Sequence, residues 1–274
     1  MVIRKAWLSK VILVAIALVW IYPIILIAFN SFKPHNAIIN DFMSFPANIS
    51  FKMYLETWVD FNFSRLVLNT LFYTGVTVIS IGIFAPMAAY KLARVKSNLS
   101  KFMFLIVILP IMVPFQTYMI TLTKLMGDLK LLATMQGYIF VSIGLCMPLA
   151  VFMIHGFVKN IPIELEESAY IDGASAFVTY FKIILPLLTP IIITVLVIDA
   201  LAVWNDVIVN ILILGGKPET QNIQNALYSK FSTTQSDWEH ALPGLIISTI
   251  PNILFFIFMQ KYIVGGITAG AIKG

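Results

Sequence analysis

The chain predicts an all-α, polytopic membrane protein with six transmembrane helices, on three observations. Of its 274 residues, 59% are hydrophobic and only 11% are charged, with a mean hydropathy of +0.92; a soluble domain carries about 25% charged residues. Several apolar runs reach the about 20 residues that cross a bilayer as a helix. None of these runs alternates with period two, as the strands of a transmembrane barrel would.

Six spans follow in order, at about 11–29, 66–90, 102–122, 135–156, 183–208 and 241–260. The first comes after Arg4, Lys5 and Lys10 and contains Trp20, Tyr22 and Pro23. It is longer than the apolar core of a signal peptide and is expected to stay uncleaved. Prolines recur inside the spans, at Pro23, Pro86, Pro110, Pro114, Pro148, Pro186, Pro190 and Pro251. Each removes a backbone hydrogen bond and tends to kink its helix. Two readings stand: ordinary membrane-helix proline, or kinked helices that form a moving gate. The lone Cys146 lies in an apolar run with no metal-ligand neighbours, so a small buried core residue is expected. In the loops at 30–65 and 209–240, Trp58, Phe61, Phe63 and Trp238 suit the headgroup interface or a soluble partner.

Charge sets the orientation. With the N-terminus in the cytosol, that side holds eleven Lys and Arg, in 1–10, 91–101, 157–182 and 261–274, and the external loops hold seven. Both termini are therefore expected in the cytosol, by the excess of basic residues on that side. The same orientation puts the polar stretch about 159–182 there too. The remaining charge forms no dense basic patch and no nucleic-acid motif, which excludes nucleic acid as a partner.

That polar stretch reads as two short helices around a glycine turn. Pro162 suits a first helical turn, and Glu164, Glu166 and Glu167 favour the positive end of a helix over about 163–171. Gly173 can adopt the left-handed conformation that ends it. Asp172 is placed to cap a second helix starting near Ala174. Two uses are open for such a hairpin: lying on the lipid surface, or docking into a cleft of a soluble partner. A lipid-surface hairpin would be basic, whereas this one is acidic. Small residues at 168, 169, 173 and 174 would also admit another backbone closely.

The motif inside it is more specific. Glu167-Ser168-Ala169 is followed by Gly173, and nine residues, 174–182, separate Gly173 from Ile183, after which comes Leu185-Pro186. This resembles the EAA loop of ABC importer permeases; Ser168 replaces the pattern's middle alanine with another small residue. The resemblance implies a coupling helix seated in a cytosolic ATPase, with Glu167, Ser168, Ala169, Tyr170, Asp172, Gly173 and Ala174 as its contacts. Leu68-Asn69-Thr70, Trp204-Asn205-Asp206 and the glycine-rich end, Gln260 to Gly266 and Gly270 to Gly274, are similar to the MalG-type carbohydrate permeases. From this resemblance follows a bacterial cell (inner or plasma) membrane subunit in a sugar importer, with oligosaccharides the favoured cargo and monosaccharides, disaccharides and charged uronides left open. Its implied partners are a second homologous permease, two copies of a cytosolic ABC ATPase, and an external sugar-binding lipoprotein or periplasmic binding protein. The whole chain, 1–274, would be one permease domain with its core at about 66–260.

Substrate-pathway residues are sought among Asp199, Trp204, Asn205 and Asp206. Acids inside a span are functional candidates by default, and an indole beside an amide suits an uncharged polyhydroxylated ligand. The alternative is that Asp206 lies in the external interface and Asp199 bonds between helices. No G-x-x-x-x-G-K-[ST] occurs, so no cofactor is expected on this chain, and ATP and Mg would sit on the partner ATPase. No metal or catalytic constellation is expected either: His35, His155 and His240 fall in separate segments. The alternative class is an ion-coupled secondary transporter, which usually carries midplane ionisable residues and inverted repeats.

Overall fold

The computed structural model describes the backbone of residues 2–231 and 237–271, and the side chains of Trp7, 9–231 and 237–260. The described elements are helical. Five helices are long and apolar enough to cross a membrane: Ser9–Asn30, Phe63–Arg94, Met135–Val158, Ala176–Trp204 and Trp238–Gln260. A sixth crossing exists if Asn98–Met112 and Phe115–Asp128, bent by 107° at their junction, form one span.

That bend is where the expected third span departs from a straight helix. Ser97 caps α5 (Asn98–Met112) by accepting from the Ser100 N–H. At the far end Val113 is extended, φ −103° and ψ 119°. A residue before proline is pushed out of the helical region by the proline ring. Pro114 then starts α6 (Phe115–Asp128) in a new direction. Pro110 is absorbed inside α5, so position relative to the next turn, and not proline content, decides where the span breaks.

Packing divides the chain into two compact units. The first comprises Met1–Leu66 and Ala226–Ile253. It contains α1 (Val2–Asn30), α2 (His35–Asn40), α3 (Lys52–Asp60), most of α12 (Ile223–Phe231) and the first part of α13 (Trp238–Ala271). Side chains of α1 from Val11 to Ile25 are exposed. Its end is pinned: the buried Asn30 Nδ2 donates to the carbonyls of Leu26 and Phe42, and Ser31 Oγ shares a 2.6 Å hydrogen bond with the Tyr54 hydroxyl. Lys33, 3% exposed, donates through Nζ to the Asp41 carbonyl and Ser44 Oγ. Of the aromatics expected at the interface, Phe63 is instead fully buried under the stacked Trp58 ring.

The second unit comprises Val67–Asn225 and Leu254–Gly274. Most of α4 (Phe63–Arg94), α5, α6, α7 (Met135–Val158), α8 (Glu164–Ile171), α9 (Ala176–Thr179), α10 (Leu185–Trp204) and α11 (Ile208–Leu214) lie here. One core cluster joins Ile81, Ala85 and Ala89 of α4 to Ala150, Val151, Ile154 and Val158 of α7 and to Leu188, Ile191 and Val195 of α10. The three α4 positions recur every fourth residue on one face. Two of them are alanine, which lets helices approach where lipid offers no hydrophobic drive for association. A second cluster gathers Tyr73, Met126, Tyr138, Val203 and Ile213.

The turn into α7 is tight. Thr134 caps it, accepting from the Gly137 N–H at 3.0 Å while donating to the Leu131 carbonyl at 2.7 Å. A Cβ on Gly137 would fall onto that same Leu131 carbonyl oxygen, which is backbone and cannot rotate away. Gly137→Ala is expected to lower stability by about 2 kcal/mol through this overlap. Thermal aggregation of the detergent-solubilised variant would check it; an unchanged midpoint would show that the turn re-forms differently.

Candidate functional site

The polar hairpin is built from α8 and α9. Helix α8 runs Glu164–Ile171 with Glu164, Glu166 and Glu167 in its first turn, where carboxylates meet the positive end of the dipole. It ends in a Schellman turn: Gly173 N–H donates to the Tyr170 carbonyl and Ala174 N–H to the Ala169 carbonyl. Gly173 takes φ +80°, as this turn requires. Two expectations are corrected here. Ser175, not Asp172, caps the second helix, accepting from the Val178 N–H, and that helix starts at Ala176. The helix breaks off between Gly173 and Ala176 because the Schellman turn redirects the chain, leaving Asp172 to close α8. Pro162 precedes the α8 cap, Ile163, and so lies outside its first turn.

Glu166 and Glu167 face different ways. Glu167 is exposed. Glu166 Oε1 accepts from Arg94 Nε at 2.6 Å and its Oε2 accepts from the Tyr90 hydroxyl at 2.6 Å. Arg94 Nη2 also donates to the Ile161 carbonyl at 2.9 Å. The Arg94 and Glu166 side chains are only 16% and 14% exposed, so this pair is shielded and hydrogen-bonded, unlike a surface ion pair. It fastens the hairpin to the end of α4. Sequence reading missed Arg94 and Tyr90, 72 and 76 positions from Glu166.

Of the expected contact residues, Glu167, Ser168, Tyr170, Asp172 and Gly173 are exposed, and Ala174 is half-buried. Ala169 is turned inward, 6% exposed; its place is in the packing beneath the helix. Beside the expected Tyr170, 78% exposed, the reading missed the rest of the apolar tip: Ile171 is 83% exposed, and Phe177, packed on Phe181, is 70% exposed. Large apolar groups in an acidic loop were the available signal.

The hairpin leaves through a π-helical turn, Tyr180–Ile184, which leads into α10. The Leu185 N–H reaches back to the Tyr180 carbonyl, five residues away, and Pro186 has no N–H to offer the next one. The Ile183-Ile184-Leu185-Pro186 stretch is thus a wide turn inside an otherwise continuous helix, a feature that concentrates at functional positions. The second helix of the hairpin and the membrane helix are thus one continuous helical segment, Ala176–Trp204.

Toward the other end of α10, the four expected pathway residues separate. Asp199 is 2% exposed and its Oδ2 has no partner among the described residues; the Cys146 thiol faces its carboxyl. Trp204 is 7% exposed. Asn205 is exposed. Asp206 lies past the helix end and organises the next one: Oδ1 accepts from Val209 N–H, while Oδ2 accepts from Asn210 N–H and the Tyr138 hydroxyl. Burial pushes the Asp206 carboxyl up, and these hydrogen bonds oppose that rise. The Asn222 amide donates to the Asp206 carbonyl, and Asn225 donates to Asn222 Oδ1 and Asn210 Oδ1.

Leu68-Asn69-Thr70 belongs to the same assembly. Asn69 Nδ2 donates to the carbonyls of Glu219 and Gln221, Thr70 Oγ1 accepts from Ile223 N–H, and the Tyr73 hydroxyl donates to the Thr220 carbonyl. One segment, 219–223, thereby ties the start of α4 to the end of α10. The third expected signature, beyond Gln260, has its side chains outside the described residues.

Comparison with known proteins agrees with this geometry. The model of the binding-protein-dependent transport system inner membrane component family matches residues 78–268. A probable starch degradation products transport system permease protein, AmyC, of Thermoanaerobacterium thermosulfurigenes is 34% identical, with 98% of this chain and 99% of that protein covered. The melibiose/raffinose/stachyose import permease protein MelC of Bacillus subtilis is 33% identical, covering 84% and 83%. Among solved structures, a chain of a bacterial ABC transporter that imports the acidic polysaccharide alginate superposes with a TM-score of 0.81. It is 25% identical, over 94% of this chain and 96% of that one. The match decides between the transporter classes that composition left open: the chain belongs to the family of binding-protein-dependent transport system inner membrane components, and is a membrane-spanning permease subunit of an ABC importer.

Proposed function

We propose that the chain, as one permease domain over 1–274, passes the closure of a cytosolic ATPase pair to an oligosaccharide pathway that it shares with a second, homologous permease. The observation that carries this reading is the hairpin: an exposed knob of Glu167, Tyr170 and Ile171, held rigidly at Glu166 and continuous with α10. Sugar as cargo is supported by the relatives, whose names specify starch degradation products, melibiose, raffinose and stachyose. The excess of Lys and Arg on the hairpin's side supports a cytosolic position for it and for both termini.

Mechanistically, displacement of the hairpin has two routes inward. One runs through the π turn into α10 and reaches Trp204, Asn205 and Asp206 at its far end. The other runs through the Arg94–Glu166 pair into α4, whose opposite end carries Asn69 and Thr70. Because segment 219–223 joins those far ends, both helices must move with it, and alternating access follows from rocking them together. ATP and Mg belong to two ATPase subunits, whose groove receives the exposed face of α8 around Glu167, Ser168, Tyr170, Asp172, Gly173 and Ala174. An external sugar-binding protein delivers the cargo. Of the four pathway residues, Asn205, whose Nδ2 donates to the Leu201 carbonyl, is the exposed one and meets the sugar, while Asp199, Trp204 and Asp206 shape the wall behind it.

Gly173→Leu would force a left-handed backbone on a branched side chain, at about 1–2 kcal/mol. We expect the variant to insert and yet hydrolyse ATP without transport; normal uptake would count against docking through this turn. Arg94→Ala should cost about 2 kcal/mol by stranding Glu166 and should reduce transport, with partial recovery in the Arg94→Glu, Glu166→Arg double variant; no recovery would mean that the pair's direction, and not its charge balance, matters. Asn205→Ala should raise the KM for sugar uptake several-fold at normal membrane abundance, and Asp206→Ala should lower abundance itself. The reverse pattern, read from uptake curves and immunoblots, would exchange their roles. The class itself is tested by purification from the native membrane. Recovery of a homologous permease and an ATPase is expected. Isolation of this chain alone, active on an ion gradient, would overturn the reading.

A further inference from the structure

A cavity of about 930 Å³ opens beside the hairpin, where α4 ends, α5 begins and α7 ends. Four cations line it, Arg94, Lys96, Lys101 and Lys159, against the single carboxylate of Glu164. Arg94 is already committed to Glu166 and Ile161. The three lysines are exposed, and none forms an ion pair among the described residues. They are a concentration of uncompensated positive charge at the level where three membrane helices terminate.

The cavity's wall on α5 is apolar, formed by Phe104 and the 59% exposed Leu105. One turn further along α5, Leu109 opens a second cavity of about 460 Å³, continued by Pro110, Val113, Leu122 and Leu145. From Lys101 to Pro110 is a rise of about 14 Å at 1.5 Å per residue. The hydrocarbon of one leaflet is about 15 Å deep, half the bilayer's core. A basic mouth and an apolar slot therefore lie along one helix at the separation of a lipid's phosphate from its inner acyl carbons.

We propose that the Arg94–Lys96–Lys101–Lys159 cavity binds the phosphodiester headgroup of an acidic phospholipid, with an acyl chain lying along Leu105 and Leu109 of α5. A soluble phosphate shares the headgroup chemistry but has no use for the apolar wall. Basic pockets between membrane helices recognise anionic headgroups through near-surface Lys and Arg, each adding about fivefold in affinity. The bound lipid sits against the residue that holds the hairpin, Arg94.

The test uses the full chain, purified in mild detergent, stripped of lipid and given back defined lipids under native mass spectrometry. Dioleoyl phosphatidylglycerol should be retained in preference to dioleoyl phosphatidylcholine. The triple variant Lys96→Gln, Lys101→Gln, Lys159→Gln should lose about a hundredfold of that affinity, the corresponding Lys→Arg triple should keep it, and a Lys124→Gln, Lys130→Gln control should bind like the parent. Equal retention of the two lipids, or full retention by the Gln triple, would overturn the proposal. Glycerol 3-phosphate binding as tightly as the phosphatidylglycerol would assign the cavity to a soluble phosphate and overturn the lipid. Should the Gln triple fail to fold, Leu105→Asn decides the same point, since it leaves the cations in place and should weaken phosphatidylglycerol but not glycerol 3-phosphate.

Discussion

The Glu166 carboxylate is the joint on which the second unit depends. It accepts one bond from Arg94 and a second from Tyr90, both on α4, so α8 and α4 meet at one shielded anion. Within lipid, helices gain little from burying apolar faces against one another. Ordering must come from close packing and from a few polar ties placed at helix ends. The ties here obey that economy: Glu166 at one end, and the Asp206 and Asn69 networks at the other. Between them the α4, α7 and α10 contacts are Ile, Val, Leu and Ala.

The Asp206 network shows the same logic in a different chemistry. A carboxylate beyond the end of α10 receives two backbone N–H groups from the start of α11 and a tyrosine hydroxyl from α7. Backbone groups at a helix start have no intrahelical partner, and a fixed carboxylate satisfies them while aiming the short helix. Asn222 and Asn225 extend the bonding to the segment that covers α4. Polar ties thus hold both ends, with a π turn at Tyr180–Ile184 between them in the chain.

Asp199 stands apart from these ties. It is buried in a membrane helix with one oxygen unpartnered among the described residues and the Cys146 thiol beside it. A buried polar group without a full set of partners costs free energy, so Asp199 is a local cost to stability. Its burial inside the chain's own packing is what separates it from the exposed Asn205 nearby.

How much of this was legible beforehand follows from the range of each interaction. The hairpin's position, its acidic first turn and the role of Gly173 depend on residues a few positions apart, and the sequence by itself determined them; it also marked six apolar runs, of which the third is two helices bent by 107°. Local chemistry also determined that α8 stops where it does, because only glycine accepts φ +80° without strain. The break at Val113–Pro114 was written locally too, but eight prolines inside spans offered no way to choose the one that turns the chain. Only the tertiary structure decided that Glu166 points inward and Glu167 outward, since that choice needs Arg94 and Tyr90, brought close by the packing of α4. It likewise decided that Ala169 is core, that Ser175 is the cap, and that Asn69 and Asp206 share one network across segment 219–223. Side-chain direction in a helix rotates by 100° per residue, so adjacent glutamates separate into a shielded tie and an exposed side chain only once a neighbouring helix occupies one side.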